Sequence, residues 1–179
     1  TARTTLAVRA HTSHVQNTAT HLAWNCTRCH TPPANALPAG HIDGDGRAEV
    51  VFDSLNPTGS YDLATGRCAS SYCHGNGRAS NGAIVWGTPA TLTCASCHND
   101  ATTPTASWTM SGQHRRHVIS QHIACNECHN TVVSATNTII GLNLHVNGLK
   151  EVSLRRTGTY TPTGRLTCRP ACHGSEVWN

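Results

Sequence analysis

Cys26-Thr27-Arg28-Cys29-His30 is the stretch on which the reading of this chain turns, because its pattern returns four more times. The later copies are Cys68-Ala69-Ser70-Ser71-Tyr72-Cys73-His74, Cys94-Ala95-Ser96-Cys97-His98, Cys125-Asn126-Glu127-Cys128-His129 and Cys168-Arg169-Pro170-Ala171-Cys172-His173. All ten cysteines are used. Three of the five motifs are C-x-x-C-H, the signal for covalent haem attachment; the others are C-x4-C-H and C-x3-C-H. Two thiols form thioethers to the vinyl groups of one haem, and the following histidine then ligates the iron. The proximal ligands are therefore His30, His74, His98, His129 and His173, and the cofactor expected is haem c, five in number.

Two other uses of ten cysteines fit less well. A disulfide framework does not require a histidine after every second cysteine. Zinc ribbons use C-x-x-C pairs, but not with His at each next position. A four-haem chain with a Cys168–Cys172 pair is the alternative for the last motif, whose C-x3-C-H spacing is a poor haem signal alone.

Composition agrees with the haem reading. Of the 179 residues 4% are aromatic and 12% charged, with one Phe and one Met. So few large side chains build a thin core. The fold class expected is a mostly irregular, haem-packed multihaem cytochrome c with a few short helices and minimal β-structure, the haems forming the core. The formal charge is +4, but the arginines are scattered apart from Arg115-Arg116 and Arg155-Arg156. They suit haem propionates, which guanidinium groups grip in a bidentate way. No nucleic-acid partner is expected. No apolar run approaches the ~20 residues of a membrane span.

Outward from the motifs the chain repeats itself. His11-x-x-His14, His21, the first motif, His41-Ile42-Asp43-Gly44, Glu49-Val50, Tyr61, Thr65-Gly66-Arg67, the second motif and Trp86 come first. They are answered in order by His114-x-x-His117, His122, the fourth motif, His145-Val146-Asn147-Gly148, Glu151-Val152, Tyr160, Thr163-Gly164-Arg165, the fifth motif and Trp178. This is an internal duplication, and it places the C-x3-C-H motif where the first copy has C-x4-C-H. The organisation read from it is an N-terminal arm (1–10), a first repeat with haems 1–3 (11–98), a connector (99–113) and a second repeat with haems 4 and 5 (114–179). Short helices are expected within 11–30 and 113–129. Strands are expected at 47–53 and 150–154, each after an Asp/Asn-Gly turn with positive φ. Asp43-Gly44-Asp45-Gly46 lacks the other ligands of a calcium loop and reads as a turn.

Eight histidines remain for the distal side of the irons. His11, His14, His41, His114, His117 and His145 are the candidates, with His21 and His122 weaker because their spacing to the next cysteine differs. Residues at i and i+3 share a helix face, so each His-x-x-His can serve two neighbouring haems. Met110 is read as packing. Irons with two imidazoles leave no place for substrate, so electron transfer and not enzymatic catalysis is expected.

The chain resembles the secreted multihaem c-type cytochromes of metal-reducing bacteria with alternating C-x4-C-H and C-x-x-C-H motifs. The resemblance covers about residues 11–179. It rests on Gly112-Gln113-His114-Arg115-Arg116-His117-Val118, on Gly40-His41-Ile42-Asp43-Gly44 with Glu49-Val50-Val51-Phe52, and on Ser71-Tyr72-Cys73-His74-Gly75. It implies extracellular or periplasmic electron transfer, with redox proteins or extracellular acceptors as partners; removal of a signal peptide is expected from a chain that begins at Thr1 and not at Met. A broader resemblance, to small extracellular cytochromes that polymerise, implies a conductive filament in which His11 or His14 ligates a haem of the next subunit. A discrete carrier is the alternative.

Overall fold

The structure, a computed structural model, describes residues 9–35, 49–75, 81–89, 91–161, 167–170 and 175–177. His41 with its turn, Asp43 to Gly46, Gly164, Cys172, His173 and Trp178 lie outside the described residues, as does most of the N-terminal arm. By contact the chain forms two units, one of residues 1–18 and 22–91, the other of 19–21 and 92–179. The third motif and the stretch 99–113 both belong to the second.

Regular structure is sparse, as the composition implies. In the first unit a single α-helical turn, α1 (His11–Val15), is followed by a three-stranded antiparallel sheet. Its strands are β1 (Ser60–Asp62), β2 (Arg67–Ser71) and β3 (Gly82–Val85). In the second, the short helix α2 (Cys94–Cys97) precedes β4 (Gly158–Thr161), β5 (Thr167–Pro170) and β6 (Glu176–Val177), again antiparallel and in sequential order. The two sheets are copies of one another, for Tyr61 pairs with Cys68 across β1–β2 and Tyr160 with Cys168 across β4–β5. Sequence reading marked both tyrosines and both cysteines without seeing the hairpins. The strands are short, Thr- and Ser-rich, and lack the apolar alternation that announces a half-buried strand.

The expected helices are shorter than the sequence suggests. After α1 the chain folds back, with the Asn17 side chain accepting from the Ala23 N–H at 2.8 Å and the His14 carbonyl from the Trp24 N–H at 2.9 Å. In the second copy His114 leads into a wide π-helical turn, Arg115–Ser120, closed by Ile123 N–H to the His117 carbonyl at 2.9 Å. A single turn cannot hold itself in water, so packing fixes these segments.

Arg47 and Ala48 lie outside the described residues; over 49–53 and 150–154 the expected strands are replaced by a different pairing. Extended chain from each stretch lies alongside a haem motif. Val51 N–H donates to Cys29 O at 2.9 Å and Asp53 N–H to Arg28 O at 3.2 Å. In the second copy Ser153 N–H donates to Cys128 O at 2.9 Å and Arg155 N–H to Glu127 O at 2.9 Å, with a parallel bridge between His129 and Ser153. The two ladders carry opposite charges at the same positions. Arg28 pairs with Asp53 in the first copy, and Glu127 with Arg155 in the second, the latter at 2.9 Å. Such partly exposed pairs contribute little. Arg28→Glu should therefore lower holoprotein stability by no more than about 1 kcal/mol. Adding Asp53→Arg, which reproduces the second copy's arrangement, should restore it in thermal unfolding. No recovery in the double variant would contradict the pairing.

Little of the described polypeptide is buried. Its buried apolar side chains are Cys68, Val132 and Val133, and no large side chain is fully enclosed. Meanwhile Val15, Leu63, Leu92, Ile140 and Leu149 are exposed, Leu149 at 71%. Apolar surface of this kind is what a large apolar cofactor would cover. No helix among the described residues is long and apolar enough to cross a membrane.

Candidate metal centres

Each C-x-x-C-H motif is one tight turn. Cys26–Arg28 and Cys125–Glu127 are 3₁₀ turns and α2 is a single α-turn, so the two thiols of each motif lie one turn apart on a common face. In all three the histidine N–H returns to the carbonyl of the first cysteine. The lengths are 2.9 Å for His30 to Cys26, 2.9 Å for His98 to Cys94 and 3.0 Å for His129 to Cys125. The C-x4-C-H motif is built otherwise. Cys68 sits in β2, and the extra residues are absorbed by a bulge between Cys68 and Ser71, with Ser70 at φ 50°. Cys73 and His74 follow on a 3₁₀ turn, Tyr72–His74. The buried Asn56 holds its start by accepting the Tyr72 N–H at 2.9 Å.

Cys26, Cys29, Cys68, Cys73, Cys94, Cys97, Cys125 and Cys128 form no disulfides. Burial, and then the neighbouring Cys29, pushes the Cys73 thiol up to about 11. Burial also raises Cys29, Cys68, Cys97 and Cys125. Zinc would need thiolates and three or four converging ligands. Among the described residues no group of three or more His, Cys, Asp or Glu could hold a metal ion.

Histidines instead meet in twos. The ring centres are 6.2 Å apart for His11 and His30, 6.0 Å for His14 and His74, 6.1 Å for His98 and His145, and 6.2 Å for His114 and His129. An imidazole nitrogen binds a transition metal at about 2 Å and its ring centre lies ~1 Å beyond, so two rings on opposite sides of one metal ion stand about 6 Å apart. All four pairs have that separation, and each joins one proximal histidine to one distal candidate. Two ligands per site suffice only where a macrocycle supplies the rest, as haem does.

The rings are also turned the right way. An Nδ1–H that donates to a backbone carbonyl leaves Nε2 for the metal and fixes the ring. His14 donates to Ala10 O at 2.7 Å, His114 to Ser111 O at 2.6 Å, His117 to Gln113 O at 2.9 Å and His145 to Thr20 O at 2.5 Å. Of the proximal ligands, His30 donates to Glu49 O at 2.7 Å and His129 to Glu151 O. Glu49 and Glu151, marked by the repeat without a role, thus act through their carbonyls. Burial lowers the pKa of His98 and of His114, favouring the neutral, ligating imidazole. Among the described residues the buried Trp108 Nε1 lacks a protein partner, which an acceptor outside the polypeptide, such as a haem propionate, would satisfy.

The remaining candidates divide. His117 repeats His14 in position and in its Nδ1 anchor, but its counterpart proximal ligand, His173, is outside the described residues. His21 and His122 belong to none of the four pairs. His122 has φ 52° and lines a cleft of about 160 Å³ beside Ile123 and Cys125. His145 precedes a strained turn, in which Val146 has φ 58° and Gly148 φ 84°. The positive φ expected at the glycine is present, and that at a β-branched valine is costly.

No curated protein and no solved structure matches the chain. Residues 67–98, which span the second and third motifs, match the family model described as the Geobacter CxxxxCH...CXXCH motif, and with the paired histidines this supports a multihaem c-type cytochrome.

Proposed function

We propose that the chain is a pentahaem electron-transfer protein with two histidines at every iron, and the subunit of an extracellular conductive filament. The observation that carries electron transfer is the set of four ring pairs at 6.0 to 6.2 Å. Bound there, haem supplies a one-electron iron couple. The paired histidines would hold each iron between them and leave no ligand site for substrate at these four positions, and backbone carbonyls keep His14, His30, His114, His129 and His145 in the tautomer that ligates through Nε2. His11 and His14 stand one turn apart on α1 and face different proximal ligands, so they bring the first two haems side by side. The repeat carries the fifth pair, His117 with His173.

That assignment uses His11, His14, His145, His114 and His117 for haems 1 to 5 and leaves His21, His41 and His122. His41 is the repeat counterpart of His145. The iron faced by His145 belongs to the motif preceding its own repeat, Cys94 to His98. With two histidines already assigned to each of the five irons, the iron of His41 on this reading is one that these five motifs do not carry. We assign to His41 the trans role expected of His11 or His14, its iron being carried by a neighbouring subunit.

Two measurements test the proposal. Intact mass and haem assay of the holoprotein should give five haems; four would remove the Cys168–Cys172 site. Electron microscopy should show filaments that His41→Ala abolishes without loss of haem. Filaments unaffected by His41→Ala would overturn the trans assignment, and discrete particles at all concentrations would make the protein a soluble carrier.

A further inference from the structure

Six of the ligating histidines, proximal and distal, are oriented by an Nδ1 hydrogen bond to a backbone carbonyl, whereas His11 makes no such bond among the described residues. Among the described residues its ring meets His30 and the indole of Trp86, the latter at 5.1 Å and edge-on at 76°. The same indole stacks on His14 at 5.3 Å and 23°. Resting on the bis-histidine reading above, we infer that Trp86 is a positioning residue that sets the imidazole plane of His11 and so the electronic character of the first iron.

Trp86 is itself held firmly. Its N–H donates to Gly66 O at 2.7 Å, and Thr88 N–H closes a turn onto Val85 O at 3.0 Å. Gly87 occupies the left-handed position of that turn, at φ +81°, where glycine is preferred. A side chain there would also meet Arg9 Cδ at 2.4 Å. The backbone that carries the indole is thus pinned, and the indole meets one distal histidine at a steep angle and stacks on the other. His14 has a second constraint in Ala10 O, whereas among the described residues His11 meets only the indole and the ring of His30.

The angle between the two axial imidazoles governs the splitting of the iron d orbitals. Near-parallel and crossed pairs therefore give different ferric EPR signals. His11/His30 are at 25° and His114/His129 at 7°, the near-parallel class. His14/His74 are at 65° and His98/His145 at 54°, the crossed class. Trp86 holds the first iron in the near-parallel class while its neighbour on the same helical turn is crossed.

The test is EPR of the oxidised holoprotein, in wild type, Trp86→Leu and Trp86→Phe. Leucine fills space without a plane, so Trp86→Leu should remove the near-parallel intensity of one iron, about half of what the two described near-parallel pairs contribute, with the crossed signals retained. Phe keeps a smaller plate and should retain the intensity at a shifted g value. Full, unshifted near-parallel intensity in Trp86→Leu overturns the inference. If that variant does not mature, an unshifted signal in Trp86→Phe does the same. Absence of low-spin bis-histidine signals in wild type would instead refute the underlying reading.

Discussion

His145→Ala should convert one haem from six-coordinate low-spin to five-coordinate high-spin and leave the others unchanged. His145 faces His98 at 6.1 Å, and its Nδ1–H is tied to Thr20 O at 2.5 Å, so the ring is both placed and oriented. Alanine removes the ligand without supplying another. Reduced His145→Ala should bind about one haem equivalent of carbon monoxide where the wild type binds essentially none, because the opened axial position is the only change. His122→Ala, outside all four pairs, should bind none. Absorption and carbon monoxide titration read both variants. A fully low-spin His145→Ala would mean that another side chain holds the third iron.

Gly82→Ala should be the most destabilising small substitution in the first unit. A Cβ at Gly82 would lie 1.7 Å from the carbonyl oxygen of His74 and 2.5 Å from its carbon. Both are backbone atoms of the proximal ligand's own residue, so no side chain can swing away. Gly82 also pairs with Ser71 where β2 bulges between the two halves of the C-x4-C-H motif. The strand must separate or the motif must shift, at a cost of about 2–4 kcal/mol, within the range of severe point substitutions. Denaturant unfolding of the holoprotein should show a lowered midpoint, with the spectrum of the second haem altered first. An unchanged midpoint would mean that β3 does not approach His74 so closely.

How far the sequence led depends on the kind of signal. The Cys-His motifs were legible because thioether attachment fixes residue types and spacing. The histidines were legible as a set because the duplication marks them. Their partners were not, since the pairing of His14 with His74 while His11 meets His30 depends on how one helical turn sits over two motifs. The hairpins were missed because Thr159, Thr161 and their neighbours show no apolar alternation. The roles of Glu49 and Glu151 were hidden because a carbonyl does the work and any side chain supplies one. The exchange of Arg28/Asp53 for Glu127/Arg155 was present in the aligned repeats, but opposite charges in two copies become meaningful only once each pair is known to touch.

A density map of the oxidised holoprotein that resolves side chains tests the central claim most directly, by reading the two ligands on each iron. The account predicts His30 with His11, His74 with His14, His98 with His145 and His129 with His114. An iron among these four with a different distal ligand, or with none, would contradict it.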